Sequence, residues 1–355
     1  MKKGDIRVLV VDDSATVRKL LVEILESDPE IKVVGEASNG AEAVEKTVKL
    51  SPNVITMDVN MPVMDGLDAT KEIMIAAPTP IVIVSASGSR SAMDLSFNAT
   101  QAGALMVVSK PQGPDSPRYE EKRGQLIAMV KAMSKVKVVR HWGSAATQTV
   151  QTPATAKPAF RVDDAKRKRI GKLVAIGTST GGPAALRRIL IDLPRDFKAP
   201  ILVVQHIAKG FVAGLASWLD TGCKLHVRVA EHGEQALPRT VYIAPDDRHL
   251  GVTADGQTLL SEDPPIGGFR PSASYLFSSV ARAYGSSAVA LILTGMGSDG
   301  VAGLRELRAS GGRVVAQDEA TSVVYGMAQE AVRAGVVEKV LSLDQMASQL
   351  VELVS

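Results

Sequence analysis

Short runs of valine, isoleucine and leucine recur along the chain, and seven of them end at a polar residue. Four of these runs precede Pro111 and three follow Lys172. Continuous apolar runs that alternate with segments of helical periodicity are typical of parallel strands buried on both faces. Open parallel sheets bind ligands beyond the carboxyl ends of their strands. The pattern therefore predicts an α/β protein with two doubly wound parallel-sheet domains, each with one functional site.

The first domain is expected to cover residues 5–138. Five apolar strands alternate there with five helical segments, the last of them at about 118–136. The strands centre on Leu9, Val33, Ile55, Ile83 and Val107. Regular alternation of strand and helix with short connections predicts a doubly wound parallel sheet.

The middle of the chain is expected to be a flexible linker, at 139–170, because it is rich in Thr, Ala and Pro and has few aliphatic residues. Strands and helices alternate again over 171–355, which forms the second domain. Its main strands are expected at 173–176, 201–204, 241–244, 289–293 and 314–316. Two short stretches near 224–229 and 258–260 resemble added or hairpin strands, and the segment from residue 331 onward should close the domain.

The net charge of +3 is concentrated in the linker, where residues 140–172 hold eight Lys and Arg against two Asp and Glu. The basic stretch at 166–169 lacks interleaved aromatic residues and a helix-turn-helix pattern, which favours a solvated linker over a nucleic-acid contact. No apolar stretch is long enough for a membrane span, and no signal-peptide cleavage site follows the first residues. We therefore expect a cytoplasmic protein without membrane insertion. Cys223 is the single cysteine, so no intrachain disulfide can form.

Four strand ends of the first domain present groups suited to phosphoryl transfer. Asp12 and Asp13 follow the first strand, and Asp58 follows the third. Gathering three carboxylates is costly unless a cation such as Mg²⁺ neutralises them. Asp58 is placed to attack phosphorus, and Ser85 and Lys110 are placed to stabilise the transferred group. A lone aspartate at a strand end is more often a helix cap, so the prediction depends on the combination.

The sequences VLVVDDS, MDVNMPVMDGL, IVIVSAS and VVSKP resemble the receiver domain of response regulators over its whole length. The resemblance implies a flavodoxin-like fold, phosphorylation of Asp58 by a histidine kinase, and a cis peptide bond between Lys110 and Pro111. The Mg²⁺ ligands that it implies are Asp12, Asp13, Asp58 and the carbonyl of Asn60. Val107 stands where receivers usually have an aromatic switch residue, so signal propagation is expected to differ.

The sequence GTSTGG at 177–182 follows a strand of the second domain and opens a helix. Such a turn exposes Ser179, and the amino end of the helix offers N–H groups to an oxyanion. A glycine-rich turn can equally hold the phosphates of a dinucleotide. That alternative is disfavoured because the G-x-G-x-x-G spacing is absent and no acidic residue ends the next strand. His206 ends that strand instead.

A serine becomes a nucleophile when a base lies within hydrogen-bond reach and a third group orients the base. His206 is the candidate base, and Asp299 in the loop TGMGSDG is the candidate orienting residue. Three other histidines compete for the role of base, namely His226, His232 and His249. None of them directly follows a strong buried strand, and His249 is expected to serve loop structure. The order Ser, His, Asp differs from that of α/β-hydrolases and disfavours that fold.

Six segments of the second domain resemble the catalytic domain of chemotaxis-type protein-glutamate methylesterases, the CheB family. They are IGTSTGGPAAL, VVQHIAKGF, VYIAPDDRHL, RPSASYLF, LILTGMGSDG and AQDEATSVVYGMAQEA. The resemblance implies a Rossmann-like serine esterase without a cofactor in its site. It hydrolyses glutamyl methyl esters on the coiled coil of chemoreceptors and often deamidates glutamines there. Ser179 would be the nucleophile, His206 the base and Asp299 the orienting residue, with the backbone N–H groups of Thr180 and Met296 as oxyanion donors.

Two segments of the expected cleft depart from the family pattern. Lys209 lies in HIAKGF where the family usually has HMPPGF, and Phe269 lies in FRPSAS where it usually has HRPSVD. These changes leave the triad intact and bear on substrate choice.

The two resemblances, in this domain order, imply a hydrolase of a two-component chemotaxis system that phosphorylation activates. The unphosphorylated receiver is expected to pack over the cleft near Ser179 and Met296. Two alternatives remain open: a catalytically idle signalling scaffold, and a DNA-binding regulator that contacts duplexes through residues 166–172.

Overall fold

The computed structural model describes residues 6–85, 106–111, 113–117, 119–134, 136, 171–207 and 209–355. These residues form two α/β units, one on each side of the segment expected to be a linker. The linker prediction and the predicted fourth helix of the first unit lie outside the described residues.

The first unit is a five-stranded parallel sheet in the order β2-β1-β3-β4-β5. Its strands are β1 (Ile6–Val11), β2 (Ile31–Ala37), β3 (Val54–Met57), β4 (Ile81–Ser85) and β5 (Met106–Ser109). Its described helices are α1 (Ala15–Glu26), α2 (Gly40–Leu50), α3 (Gly66–Ala76) and α4 (Tyr119–Met133). Each predicted strand centre lies within a strand, which confirms the doubly wound sheet. The strand order reverses between β1 and β3, and such a switch point is where open sheets bind ligands.

Helix α1 shows how the local sequence sets these elements. The hydroxyl of Ser14 accepts a hydrogen bond from the backbone N–H of Val17 and caps the first turn. Leu21, Ile24 and Leu25 are fully buried, and their spacing places them on one face of the helix. The apolar face of α1 packs on the sheet. Asp12 and Asp13, which lie between the end of β1 and the start of this helix, therefore stay at the edge of the sheet.

The second unit is a seven-stranded parallel sheet in the order β14-β13-β12-β6-β7-β9-β8, with a separate two-stranded antiparallel hairpin, β10-β11. Its strands are β6 (Leu173–Thr178), β7 (Ile201–Gln205), β8 (His226–Val229), β9 (Thr240–Ile243), β10 (His249–Val252), β11 (Thr258–Ser261), β12 (Ala288–Ile292), β13 (Arg313–Gln317) and β14 (Lys339–Leu341). Its helices are α5 (Gly182–Asp192), α6 (Val212–Gly222), α7 (Ala273–Tyr284), α8 (Val301–Ala309), α9 (Met327–Arg333) and α10 (Leu343–Val354).

The three central strands, β12, β6 and β7, are buried on both faces. Side chains of α5, α6 and α10 pack on one face, and those of α7, α8 and α9 pack on the other. Three layers of this kind exclude water from the strands and leave their carboxyl ends at one edge, where the connecting loops meet. None of the described helices is long and apolar enough to cross a bilayer.

The short strands were only partly predicted. The stretch near 224–229 forms β8, which extends the sheet as a parallel edge strand, and the stretch near 258–260 forms β11 of the hairpin. Strand β14 was not predicted because it has three residues, two of them exposed, and so carries no apolar run.

Candidate functional site

The carboxylates of Asp12, Asp13 and Asp58 meet at the carboxyl ends of β1 and β3, with ligand oxygens that all lie within 4.8 Å of one another. Asp12 is fully buried and Asp58 is 4% exposed, whereas Asp13 faces solvent. The Nζ of Lys110 lies 2.7 Å from Oδ2 of Asp12 and 2.8 Å from Oδ2 of Asp58. One ammonium group therefore serves two buried carboxylates and leaves negative charge uncompensated.

The electrostatics of the cluster follow from this burial. Burial raises the pKa of Asp58, the hydrogen bond and charge of Lys110 oppose the rise, and the neighbouring charge of Asp12 adds to it. Burial disfavours the charged form of Lys110, but hydrogen bonds to Asp12 and Asp58 outweigh this and raise the pKa of the lysine. Three carboxylates with one lysine fit a hard divalent cation, because such an ion supplies the missing positive charge and prefers oxygen ligands.

The other predicted residues of this cluster lie nearby in the chain. Ser85 is 1% exposed at the end of β4, and its Oγ has no hydrogen-bond partner among the described residues. Its carbonyl accepts a hydrogen bond from the backbone N–H of Lys110 at 2.9 Å, which joins the ends of β4 and β5. Asn60 is exposed two residues after Asp58, and the role of its carbonyl as a metal ligand stays a prediction.

Two other expectations about the receiver have different outcomes. The cis bond expected between Lys110 and Pro111 is not found, and the cis peptide bond recorded in the described residues joins Arg270 to Pro271. The trans form is the lower in free energy for an ordinary X-Pro bond. The side chain of Val107 lies outside the part of the chain that the structure describes, so its effect as a switch residue is not tested.

The second group of predicted residues follows three adjacent strands. Ser179 lies after β6, His206 after β7 and Asp299 in the loop after β12, and these strands are neighbours in the sheet. The Nε2 of His206 is 2.9 Å from Oδ2 of Asp299. Ser179 is 7% exposed and lies in the turn that leads into α5. The topology thus places the ends of three adjacent strands side by side and joins His206 to Asp299, while no hydrogen bond between Ser179 and the His206 ring is recorded among the described residues.

The amino terminus of α7 holds the Asp299 carboxylate in place. Its oxygens accept hydrogen bonds from the Ser272 hydroxyl at 2.8 Å, the Ala273 N–H at 2.7 Å and the Ser274 N–H at 3.0 Å. Burial would raise the pKa of Asp299, but the hydrogen bond from His206, the charge of that ring when it is protonated, and the hydrogen bonds from Ser272 and the Ala273 N–H hold the pKa well below its usual range. Asp299 is therefore ionised, and each of these groups donates a hydrogen bond to its carboxylate.

An ionised Asp299 determines the proton position on His206. Because the carboxylate can only accept, Nε2 carries a hydrogen, and Nδ1 is the ring nitrogen left to bind a second proton. Nδ1 is buried without a hydrogen-bond partner among the described residues. The atom that can take a proton is thus Nδ1, not the Nε2 used in the chymotrypsin arrangement.

The two predicted oxyanion donors lie on loops beside the serine. Within the described residues, neither the N–H of Thr180 nor that of Met296 donates a hydrogen bond to a protein acceptor. The Ser179 N–H donates to the Thr294 carbonyl at 3.0 Å and joins the two loops. A Cβ on Gly295 would lie 2.7 Å from Cβ of Ser179, so a glycine is needed for this close approach.

Sequence reasoning missed several residues that hold this site together. The Nε2 of Gln205 donates to the carbonyls of Ser179 at 2.7 Å and His206 at 2.8 Å. The hydroxyl of Thr294 donates to the carbonyl of Thr180 at 2.8 Å. Gln205 carried a usable signal, because it is a polar residue at the last position of a fully buried strand.

The three competing histidines, all of them among the described residues, form no hydrogen bond with Ser179, His206 or Asp299. His226 is exposed and pairs with Asp220, and Nδ1 of His232 accepts a hydrogen bond from the N–H of Leu260. His249, which was expected to serve loop structure, is fully buried as the first residue of β10, and its Nε2 lies 3.2 Å from the carbonyl of Pro264 in the loop after β11. Its Nδ1 accepts a hydrogen bond from the Ser272 N–H, and its ring stacks on Tyr275, so it supports the start of α7.

Among the described residues, two further side chains that the sequence singled out form no recorded hydrogen bond with Ser179, His206 or Asp299. Lys209 forms an exposed ion pair with Asp247. Burial raises the pKa of the Cys223 thiol to about 11, which makes it a poor nucleophile at neutral pH.

Comparison with known proteins agrees with this division of the chain. The family model described as CheB methylesterase matches residues 174–350, and the response regulator receiver domain matches residues 8–117. The chain is similar to the protein-glutamate methylesterase/protein-glutamine glutaminase 4 of Myxococcus xanthus (strain DK1622), with 50% identity over 350 residues, 99% of this chain and 97% of the relative. A protein of the same name, number 3, from Anaeromyxobacter dehalogenans (strain 2CP-C) is 50% identical over 346 residues, 97% of this chain and 98% of that protein.

A solved structure matches the second unit. It is the CheB methylesterase catalytic domain of Thermotoga maritima, with 42% identity and a TM-score of 0.51, and the match covers 52% of this chain and 100% of that domain. With relatives of such identity over almost its whole length, this chain belongs to the family of protein-glutamate methylesterases/protein-glutamine glutaminases.

Proposed function

We propose that this protein is a protein-glutamate methylesterase regulated by phosphorylation, which hydrolyses glutamyl methyl esters on chemoreceptors and deamidates glutamines at the same sites. The observation that carries the proposal is the hydrogen bond between His206 and Asp299 at the carboxyl ends of β7 and β12, with Ser179 at the carboxyl end of the intervening strand β6. The deciding experiment compares methanol release by the wild type and Ser179→Ala, as argued in the Discussion. Cytoplasmic residence and the division into residues 5–138, 139–170 and 171–355 form part of the proposal.

The esterase reaction follows from the positions of these groups. Ser179 Oγ attacks the ester carbonyl carbon while Nδ1 of His206 takes the hydroxyl proton, and the ionised Asp299 stabilises the resulting imidazolium. The N–H groups of Thr180 and Met296 bind the oxyanion. His206 then returns the proton to the leaving methoxide, and methanol departs from a glutamyl-serine ester. His206 then deprotonates a water that attacks the acyl carbon and passes this proton to Ser179 Oγ as the ester bond breaks, which leaves a free serine and a glutamic acid that ionises to the carboxylate.

In the receiver half, Asp58 is the proposed acceptor of a phosphoryl group from a histidine kinase. Asp12, Asp13, Asp58 and the Asn60 carbonyl would hold Mg²⁺, which neutralises charge between the carboxylates and the phosphoryl oxygens. Lys110 lies within hydrogen-bond distance of the acceptor carboxylate and stabilises charge on the transferred group. Ser85, with a free hydroxyl, is placed to bind one phosphoryl oxygen.

Asp58→Asn is expected to abolish phosphorylation, because an amide is not a nucleophile toward phosphorus. The measurement is the mass increase of the intact protein after treatment with acetyl phosphate and Mg²⁺. Chelation of the metal by EDTA should also prevent the increase in the wild type. Asp68→Asn is the matched control, since Asp68 is an exposed carboxylate of the same domain. Persistent labelling of Asp58→Asn would assign the phosphoryl group to another residue.

Apolar contacts link the receiver to the esterase loops. Val323 and Val324 lie in the second unit but pack against the buried apolar cluster of the first. The carbonyl of Val324 accepts a hydrogen bond from the N–H of Gly295 at 2.9 Å, next to the oxyanion donor Met296. This contact supports autoinhibition by the unphosphorylated receiver. Phosphorylation that shifts the contact would move the loop that carries Met296.

A fragment that begins at Lys172 is therefore expected to be more active than the unphosphorylated full chain, by about tenfold. The catalytic domain of the Thermotoga maritima relative has been crystallised by itself, so the fragment should fold. The measurement is kcat/KM for methanol release by the fragment and by the full chain with and without acetyl phosphate. Equal activities of the fragment and the unphosphorylated full chain would contradict autoinhibition.

A further inference from the structure

The ring of Phe269 covers one face of the His206 imidazole. The ring centroids are 4.1 Å apart and the planes differ by 7°, so the rings stack face to face. The side chain of His206 is 9% exposed as a result of this cover and of its neighbours. A flat apolar surface at this distance leaves the imidazole little freedom to tilt away from the position that the strand end gives it.

A tight turn presents Phe269 to the histidine. The backbone groups of Ile266 and Phe269 exchange two hydrogen bonds, at 3.1 and 3.0 Å. The two residues between them, Gly267 and Gly268, have φ values of +60° and +87°. Positive φ at both central residues is the signature of the two-residue turn that glycine favours. Residues 262–268 are exposed, and Phe269 is the first residue of the segment to be partly buried.

The base of this segment is anchored. The guanidinium of Arg270 donates to the carbonyl of Glu262 at 2.9 Å and so closes the loop on itself. We call the segment 262–269 the flap. Its contact with the His206 ring is the apolar ring of Phe269.

The hydrogen bond to Asp299 does not by itself fix the imidazole. One bond at Nε2 restrains the rotation of the ring about its Cβ–Cγ bond only in part, and such rotation displaces Nδ1, the atom that must face the nucleophile in the proposed mechanism. Nδ1 has no hydrogen-bond partner of its own among the described residues. A stacked ring removes this rotation, because rotation would drive the imidazole edge into the aromatic face.

We infer that Phe269 is a positioning residue of the esterase, which holds the His206 ring so that Nδ1 faces Ser179. The inference rests on the proposed function in that it assigns His206 as the base. The role of the flap is then to orient the catalytic base. The sequence alone associated Phe269 only with the rim of the cleft and with substrate choice.

The test compares Phe269→Leu with Phe269→Tyr in the full-length protein. Leucine keeps an apolar side chain but removes the flat face, whereas tyrosine keeps the ring. One readout is the rate at which a small fluorophosphonate modifies Ser179, which needs the base but not the receptor. The other is kcat and KM for methanol release from a methylated chemoreceptor.

Phe269→Leu should lower both the labelling rate and kcat by roughly tenfold with KM changed less than twofold, because small misplacements of catalytic groups are costly. Phe269→Tyr should stay within twofold of the wild type. Gly268→Ala is a second way to disturb the stack. An added Cβ meets no neighbouring atom there, but the positive φ of Gly268 is strained for alanine, so the variant disturbs the turn while Phe269 keeps its ring. Its control is Gly233→Ala, which has φ +78° and equally open space outside the site.

The outcomes separate the possible roles of the ring. Normal labelling with a raised KM in Phe269→Leu would overturn the inference and make Phe269 a substrate contact. Loss of activity in Phe269→Tyr as large as that in leucine would also overturn it. If the wild type itself is not labelled at Ser179, both the proposed function and the inference are wrong. Equal labelling of wild type and Phe269→Leu would show that the inference alone is wrong.

Discussion

Replacing Ser179 by alanine is expected to lower methanol release from a methylated chemoreceptor by roughly 10⁶-fold, the scale of loss when the nucleophile of a triad is removed. Without Oγ, no acyl-enzyme forms and the oxyanion donors Thr180 and Met296 have no tetrahedral intermediate to bind. The fold should survive the change, because the structure records no hydrogen bond from this hydroxyl to another described residue. The measurement is the release of labelled methanol from receptor membranes, with phosphodonor present.

The matched control is Ser348→Ala, which removes an exposed hydroxyl of α10 far along the chain from the site. Ser179→Ala should still accept phosphate at Asp58, since that chemistry belongs to the other unit. Retained methanol release in the variant would place the nucleophile elsewhere. A wild type without measurable release would instead favour the reading as an idle signalling scaffold.

The sequence could predict where the candidate residues lie, because the end of an apolar run marks the end of a buried strand. Strands β6, β7 and β12 are each apolar up to the last residues, so Ser179 and His206 could be located from the pattern alone. The parallel arrangement of the strands followed from the alternation of strand and helix, since parallel strands need crossover connections. The short edge strand β14 carried no such signal, since its stability depends on pairing with β13.

What could not be predicted depends on contacts between residues distant in the chain. The orientation of the His206 ring is decided by Asp299 and by the start of α7, 66 or more residues further along. His249 follows a run of charged residues typical of a loop, and it is buried only because β10 packs against α7. The stack of Phe269 on His206 likewise requires a turn. The two glycines of the sequence indicate the conformation of that turn, but nothing in the sequence indicates that it lies against the histidine.

Asp299→Asn is expected to lower kcat by roughly 10⁴-fold, the scale known for the wrong histidine tautomer. The amide group would donate to Nε2 of His206, so the ring proton would move to Nδ1 and the base would be lost. The measurement is methanol release with Asp255→Asn as the control, because Asp255 is an exposed aspartate of a turn. Unchanged activity would show that Asp299 does not set the tautomer.

The same substitution has a second, pH-dependent consequence for stability. Every described partner of the carboxylate donates, so the amide N–H₂ would face at least one donor and leave buried groups unsatisfied, at a cost of about 1–3 kcal/mol. The pKa of Asp299 in the folded protein is depressed, so its contribution to stability is complete above the ordinary carboxyl pKa of about 3.9 and is lost as pH falls through the folded value.

The difference in unfolding free energy between wild type and Asp299→Asn should therefore be largest at pH 7 and should shrink as the pH falls below about 4. Chemical denaturation of both proteins at pH 7 and pH 3 measures it. A difference that is constant between these values would mean that the carboxylate is held no more strongly in the folded than in the unfolded chain. In that case the donors at the start of α7 would not be what keeps Asp299 ionised, and the tautomer argument for Nδ1 of His206 would lose its basis.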